Sequence, residues 1–285
     1  MNHPAIRNNA VAVITGAAVG IGYAIAERLA KEGMKLVLFD RDQHKLNKTK
    51  TQLVQAYPDL EVSIVYGDVT SRESLADLFQ AATKLGDIAL LINNAAILKG
   101  AGPWHDLTQW RQTMDVNFWS ILEIQSLFVE HLITQSKPAA IVNLGSKEGI
   151  TTPPGNAAYS VSKAGVKVLT EQLAHELRQL SGNTITAHLL VPGYTFTPMN
   201  FPEMKDQTQK PNTPWTAAQV ADRLVEGLNK QDFYIFCQDN EVTEQLDHMR
   251  MQWAADDMIK NRPALSRWHS DYKEAFQRYI EEGCK

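Results

Sequence analysis

Val11-Ala12-Val13-Ile14-Thr15-Gly16-Ala17-Ala18-Val19-Gly20-Ile21-Gly22 decides the fold of this 285-residue chain. A short apolar run enters a glycine-rich turn and emerges as a helical pattern. At such a junction the backbone can approach a pyrophosphate, whose charge the helix N-terminus stabilises. The spacing is Gly-x-x-x-Gly-x-Gly rather than Gly-x-Gly-x-x-Gly, and glycines also serve tight turns. The strand before and the helix after favour the phosphate reading. Gly16, Gly20, Ile21 and Gly22 are therefore candidate cofactor residues. Asp40 ends the next apolar run, eighteen residues beyond Gly22. A carboxylate there accepts hydrogen bonds from the ribose hydroxyls of NAD and repels the 2′-phosphate of NADP. Its other available role is to cap the helix that starts near Asp42. Arg41 could receive a 2′-phosphate, but the glycine loop holds no Lys or Arg to assist, so NAD is favoured over NADP.

Outward from this turn, apolar runs alternate with helical patterns. Residues 11–15, 35–39, 61–66, 88–92, 139–144, 184–191 and 233–236 read as seven strands, mostly as continuous apolar runs suited to burial on both faces. Residues 21–32, 42–56, 71–85, 106–135, 157–180 and 216–229 read as amphipathic helices. This alternation predicts an α/β fold, a doubly wound parallel sheet with right-handed crossovers. Segment 192–214, rich in Pro, Thr and Asn, reads as an active-site flap. After the seventh strand two apolar stripes follow, one through Val242, Leu246, Met249 and Trp253, the other through Trp268, Tyr272, Ala275, Phe276 and Tyr279. Asn261-Arg262-Pro263 separates them. The predicted organisation is a catalytic domain over 1–238 and a helical extension over 239–285, packed on the same domain or on a neighbouring subunit.

Composition narrows the function classes. Apolar residues make up 44 % and charged residues 21 %, as in a globular enzyme, and a net charge of −4 gives no footprint for nucleic acid or an anionic membrane. No apolar run approaches the length of a membrane span, and the first residues lack a signal-peptide core, so the expected location is cytoplasmic. Cys237 and Cys284 have no metal-ligand spacing and read as reduced thiols.

Tyr159-Ser160-Val161-Ser162-Lys163 carries the chemistry. Tyr-x-x-x-Lys arises by chance about 0.5 times in a chain with these residue counts, and roughly 0.02 times once Ser146 is required at its fixed offset upstream. On a helix the phenol and the ammonium share one face. A phenol is a poor proton shuttle at neutral pH, and a nearby cation favours the phenolate. Ser146 would hold a carbonyl or alcohol oxygen against that phenol. An incidental surface pair is the alternative for Tyr159 and Lys163 alone.

The glycine turn, Asn93-Asn94-Ala95-Ala96 after the fourth strand, and the Ser146/Tyr159/Lys163 set together resemble the short-chain dehydrogenase/reductase family over about residues 8–237. The resemblance implies a single Rossmann-type domain with a seven-stranded sheet, acting as a homodimer or homotetramer on a small molecule. It implies Tyr159 as general acid/base, Ser146 as anchor of the substrate oxygen, and Lys163 as the group that lowers the tyrosine pKa and binds the nicotinamide ribose. Asn117 corresponds to the asparagine that holds a relay water. Asp68 and Val69 lie beside the adenine, and Asn94 and Ala95 beside the cofactor. Pro192, Gly193, Thr195 and Thr197 grip the carboxamide and phosphates. Ala96 departs from the usual Gly, and since Ala avoids positive φ the local turn is expected to shift slightly. The chain also continues for almost fifty residues past the usual end of the family.

The expected substrate surface comprises Trp104, Gly149, Ile150, Tyr194, Phe196, Met199 and Phe201. That set suits a hydrophobic or aromatic alcohol, although flap aromatics also pack on the protein itself. Lys147 and Glu148 are expected to face solvent, and the tail to cover the flap, with Trp268 and Tyr272 folding over Phe196 and Phe201. Three functions compete: an NAD-dependent alcohol dehydrogenase or ketone reductase, an NADP-dependent reductase of a carrier-bound β-keto thioester, and a nucleotide-sensing protein without turnover.

Overall fold

In the computed structural model, residues 2–203 and 210–283 are described. Cys284 and residues 204–209 of the expected flap lie outside them. All seven expected strands form: β1 (Val11–Thr15), β2 (Lys35–Asp40), β3 (Val62–Tyr66), β4 (Ile88–Asn93), β5 (Ala139–Leu144), β6 (Ile185–Val191) and β9 (Tyr234–Phe236). They pair in the order β3-β2-β1-β4-β5-β6-β9, parallel throughout. Every residue of β1, β4 and β5 is buried, because helices cover both faces, and this is why the central strands are continuous apolar runs. Two buried clusters fill the layers. One lies around Ile14, Leu29, Leu38 and Leu224, the other around Val13, Val37, Leu91 and Phe128.

The helices between strands begin where short polar side chains satisfy free amides. Asp42 caps α2 (Gln43–Ala56), Ser71 caps α3 (Arg72–Leu85), and Thr216 with Gln219 forms a reciprocal capping box on α8 (Ala217–Lys230). α1 (Gly20–Ala30) packs on α8 beside β1. The expected single helix 106–135 instead has three parts: α4 (Leu107–Met114), a widened π-helical turn (Asp115–Trp119) and α5 (Ser120–Gln135). α6 (Glu148–Thr151) is one short turn on α7 (Ala157–Ser181). Inside the flap, β7 (Thr195–Phe196) pairs with β8 (Trp215–Thr216) in a small second sheet that apolar periodicity did not predict.

The tail forms α9 (Glu244–Ile259), two 3₁₀ turns (Ser266–Trp268 and Ser270–Tyr272) and α10 (Lys273–Gly283). Its centre is Trp253. Phe276 and Tyr279 lie at 5.2 Å from that ring, the Arg262 guanidinium stacks at 4.0 Å, and the indole N–H donates to Ser266 Oγ at 2.8 Å. Trp268 and Tyr272 therefore do not fold over the flap as expected. Trp268 lies under Arg267 and Tyr272 lies beside His269, within the tail's own cluster. It is α9 that reaches the catalytic domain, by packing on α6. Among the described residues no helix is long and apolar enough to cross a membrane.

Candidate active site

A cavity of about 500 Å³ opens at the C-terminal ends of the strands, where the sheet order reverses between β1 and β4. Crossovers leave toward opposite faces there, and the resulting crevice is where doubly wound sheets bind ligands. One end is built by the β1–α1 turn. Gly16 (φ 63°) and Gly20 (φ 61°) occupy the left-handed region, which glycine enters without a Cβ penalty. Gly22 plays a different part from the direct cofactor contact expected of it. A Cβ on Gly22 would stand 2.2 Å from Gly16 O and 2.6 Å from Asn94 Nδ2, so its hydrogen seats the helix on the turn. Asn94 holds that turn by donating from Nδ2 to Thr15 O and Gly16 O, both at 2.9 Å. Thr15 Oγ1 in return accepts from the Asn94 and Ala95 amides at 3.0 and 3.1 Å. Ala96 lines the cavity outside the positive-φ region, so the methyl is tolerated.

Asp40 lies at the end of β2 and lines the cavity. Its Oδ2 accepts from the Ala18 amide and its Oδ1 from the Asp42 amide, each at 3.0 Å. It is not the cap of α2. Asp42 is, accepting from the Lys45 amide at 3.0 Å and pairing with Lys45 Nζ at 2.9 Å. Ile21, Arg41, Asp68, Val69, Pro192, Gly193, Thr195 and Thr197 also line the cavity. Asp68 is oriented by Thr70, whose amide and hydroxyl both donate to Oδ1, and Thr195 Oγ1 donates to Gly193 O at 2.9 Å.

At the centre, Ser146 from the end of β5 and Tyr159 and Lys163 from α7 share the cavity wall. The Ser146 hydroxyl stands close enough to the phenol to act on its pKa. Lys163 Nζ donates to Leu144 O at 2.7 Å and lies 5.7 Å from the Tyr159 ring centroid. Burial pushes the phenol up to about 12, with the Ser146 hydroxyl pulling it down and Glu148 adding to the rise. Burial pushes the Lys163 ammonium down to about 8. Desolvation by burial is the largest influence on both groups.

Asn117 is buried in the π-helical turn and does not line the cavity. Its Oδ1 accepts from the Ile97 amide at 2.8 Å, and its Nδ2 donates to Ile97 O at 3.0 Å and to Ser162 Oγ at 3.2 Å. Ser162 donates onward to Tyr159 O at 2.7 Å. The side chain thereby clamps the loop after β4 to the Tyr159 turn of α7.

The substrate end differs most from expectation. Tyr194 and Met199 line the cavity as predicted. Phe196 is only 2 % exposed and packs on Phe201, ring centroids 4.8 Å apart, so it is core of the flap. Trp104 is 82 % exposed, with its ring against His105 rather than in the cavity. A Cβ on Gly149 would meet the Lys163 backbone at 2.5 Å, so that glycine seats α6 on α7, and Ile150 packs beside the cluster of Ile121, Val166, Leu189 and Val191. Lys147 and Glu148, expected in solvent, line the cavity instead. Lys147 Nζ lies 2.5 Å from Asp247 Oδ2 of α9, the two side chains being 19 % and 8 % exposed. Their angles are not those of a hydrogen bond, so the contact is an ion pair. Thr15 and Ser162 were also missed, although both lie inside the motifs that were read.

The whole arrangement fits a dinucleotide. Left-handed glycines let the turn approach a phosphate, a carboxylate closes the ribose end, and a Ser/Tyr/Lys wall faces the other end. Comparison with known proteins agrees. The family described as short chain dehydrogenase matches residues 10–208. A 1-deoxy-11-beta-hydroxypentalenate dehydrogenase of Streptomyces exfoliatus is 29 % identical over 90 % of this chain and 93 % of its own length. Among solved structures, a short-chain dehydrogenase/reductase of Burkholderia phymatum in complex with NAD superposes with a TM-score of 0.79 at 28 % identity, covering 92 % of this chain and 97 % of that one. An actinorhodin polyketide ketoreductase with NADPH superposes with a TM-score of 0.68 at 25 % identity, over 78 % and 91 %. This chain belongs to the short-chain dehydrogenase family, an oxidoreductase on a Rossmann-type fold.

Proposed function

We propose that this protein is an NAD-preferring dehydrogenase or ketone reductase for a secondary alcohol/ketone pair. The observation that carries the reading is the shared wall of Ser146, Tyr159 and Lys163 in the same cavity as Asp40 and the glycine turn. NAD, when bound, supplies a hydride acceptor for the alcohol carbon. Ser146 and the phenol hold the reacting oxygen; Tyr159 gives its proton to the carbonyl oxygen during reduction and, as the phenolate, takes the alcohol's proton during oxidation. Lys163, with its lowered pKa and its bond to Leu144 O, fixes the wall and holds a transferable proton close to the phenol. Much of the acceleration comes from fixed geometry. The nucleotide-sensing alternative is disfavoured because the full Ser/Tyr/Lys set lines one cavity.

Cofactor preference rests on Asp40, whose carboxylate would repel a 2′-phosphate. One observation favours the second reading, an NADP-dependent ketoreductase: Arg41 and Lys45 also line that end. Lys45 is already paired with Asp42, which leaves Asp40 the dominant charge. A panel of secondary alcohols and ketones, followed by cofactor absorbance, tests the reading. Turnover with NAD at higher kcat/KM than with NADP is expected, and turnover with NADP alone would overturn the preference.

The molecule is also expected to be a homodimer through α5 and α7, which leave Leu122, Val161 and Val168 exposed beside Trp119. Light scattering at micromolar concentration should report the dimer, and a monomer would refute it.

A further inference from the structure

Glu148 stands two residues after Ser146, and its amide donates to Ser146 Oγ at 3.2 Å. It opens α6, the turn that Gly149 seats so closely on α7 that no side chain fits between them. The direction of the neighbouring side chains is therefore fixed by packing. Lys147 is drawn to Asp247 of α9, and Glu148 lines the cavity close enough to Tyr159 to raise the phenol's pKa. Burial also raises the pKa of the Glu148 carboxyl itself. Among the described residues, no hydrogen-bond donor and no basic group within ion-pair distance meets that carboxylate.

The cations that could have neutralised it are engaged elsewhere. Lys147 pairs with Asp247, and Lys163 donates to Leu144 O. A partly desolvated carboxylate without a partner is costly, and a ligand that donates to it relieves that cost. Ile97, Leu98, Val116 and Met199 supply an apolar part of the wall, which Tyr194 and Asn200 share. A molecule whose reacting oxygen lies between Ser146 and Tyr159 shares the cavity with the Glu148 carboxylate, which has no partner among the described residues.

We propose that Glu148 selects the substrate: the cavity takes a largely hydrophobic secondary alcohol or ketone that carries a second hydrogen-bond donor, a hydroxyl or an amine, placed to meet this carboxylate. The proposal rests on the dehydrogenase reading and names the substrate class of the same site. It modifies the purely hydrophobic substrate expected from the flap aromatics. A buried acceptor matched to a donor discriminates strongly against analogues that lack it, and a substrate carboxylate at the same place would be repelled.

The test compares kcat/KM for cyclohexanol, the cyclohexanediols, the aminocyclohexanols and the hydroxycyclohexanecarboxylates, in the unmodified enzyme and in Glu148→Gln and Glu148→Leu. At least one diol or amino alcohol should exceed cyclohexanol by about tenfold or more, with the carboxylates poorest. Glu148→Leu should erase that preference and favour cyclohexanol. Glu148→Gln should keep part of a hydroxyl preference and lose an amine preference, which distinguishes the two donors. Retained NAD affinity in both variants reports that they are folded. An unmodified enzyme that treats cyclohexanol as well as every donor-bearing partner, or an unchanged ranking in Glu148→Leu, overturns the proposal and leaves the dehydrogenase reading standing. Absence of turnover of any alcohol with NAD or NADP overturns both.

Discussion

The two ends of the cavity are held by different kinds of constraint. At the cofactor end the constraint is local and applies to the backbone. Gly16 and Gly20 need positive φ, and Gly22 lies where a Cβ would meet a carbonyl at 2.2 Å. At the substrate end it comes from afar, since Lys147 is positioned by Asp247, one hundred residues later in the chain. A backbone constraint admits one residue type and leaves a readable motif. A long-range pair admits many solutions and leaves an ordinary-looking lysine and aspartate.

Substitutions that affect one end and spare the other should sharpen this division. The largest effect is expected from Gly22→Ala, whose methyl forces the β1–α1 turn away from Asn94. Overpacking of this kind costs about 1–3 kcal/mol, so the dissociation constant for NAD should rise by about tenfold or more, as measured by fluorescence titration. An unchanged affinity would mean that the turn is looser than its geometry implies.

Next comes Asp247→Ala at the other end. It strands a mostly buried Lys147 charge, a change worth about 3–5 kcal/mol when a pair is fully buried. The alcohol KM should rise about tenfold while NAD affinity holds. The double variant Lys147→Met with Asp247→Leu should restore folding stability, because an apolar pair can replace a buried ionic one. If Asp247→Ala weakened NAD as much as the alcohol, the two ends would not be separable. Truncation after Gln238 should resemble Asp247→Ala and lower stability further, since it also removes the Trp253 cluster from α6.

The smallest effect is expected from Asp40→Ala, which should narrow the NAD preference severalfold as Arg41 becomes free to accept a 2′-phosphate. Because Asp40 also bonds the Ala18 and Asp42 amides, some loss of affinity for both cofactors should accompany the narrowing. Unchanged discrimination would move the selectivity to another residue.

The same contrast governs what could be read from the chain. The parallel sheet was legible because strands covered on both faces must be apolar along their whole length, as β1, β4 and β5 are. The glycine turn was legible because its geometry is set within a few residues, and Asp40 and the Ser146/Tyr159/Lys163 wall because they stand at strand ends and on one helix face at fixed offsets. The π-helical turn at Asn117 was not, since a local widening of the hydrogen-bond ladder has no residue signature of its own. Glu148 and Lys147 were misread because charged residues after a strand ordinarily face water, whereas here α6 is seated closely on α7 and Lys147 meets Asp247 of α9. Phe196 was misread because an aromatic in a flap can serve the flap's own core equally well. The tail's two stripes were seen, but their mutual packing through Trp253 depends on the Arg262 and Ser266 contacts, which no periodicity encodes.

The central claim is that Tyr159 moves the proton while the rest of the cavity binds the cofactor. Tyr159→Phe keeps the ring and removes only the hydroxyl, so turnover and NAD affinity should be measured together in this one variant. The account predicts loss of kcat by about a thousandfold with a dissociation constant for NAD within about twofold of the unmodified protein. A variant that retained most of its turnover on a competent alcohol would contradict it.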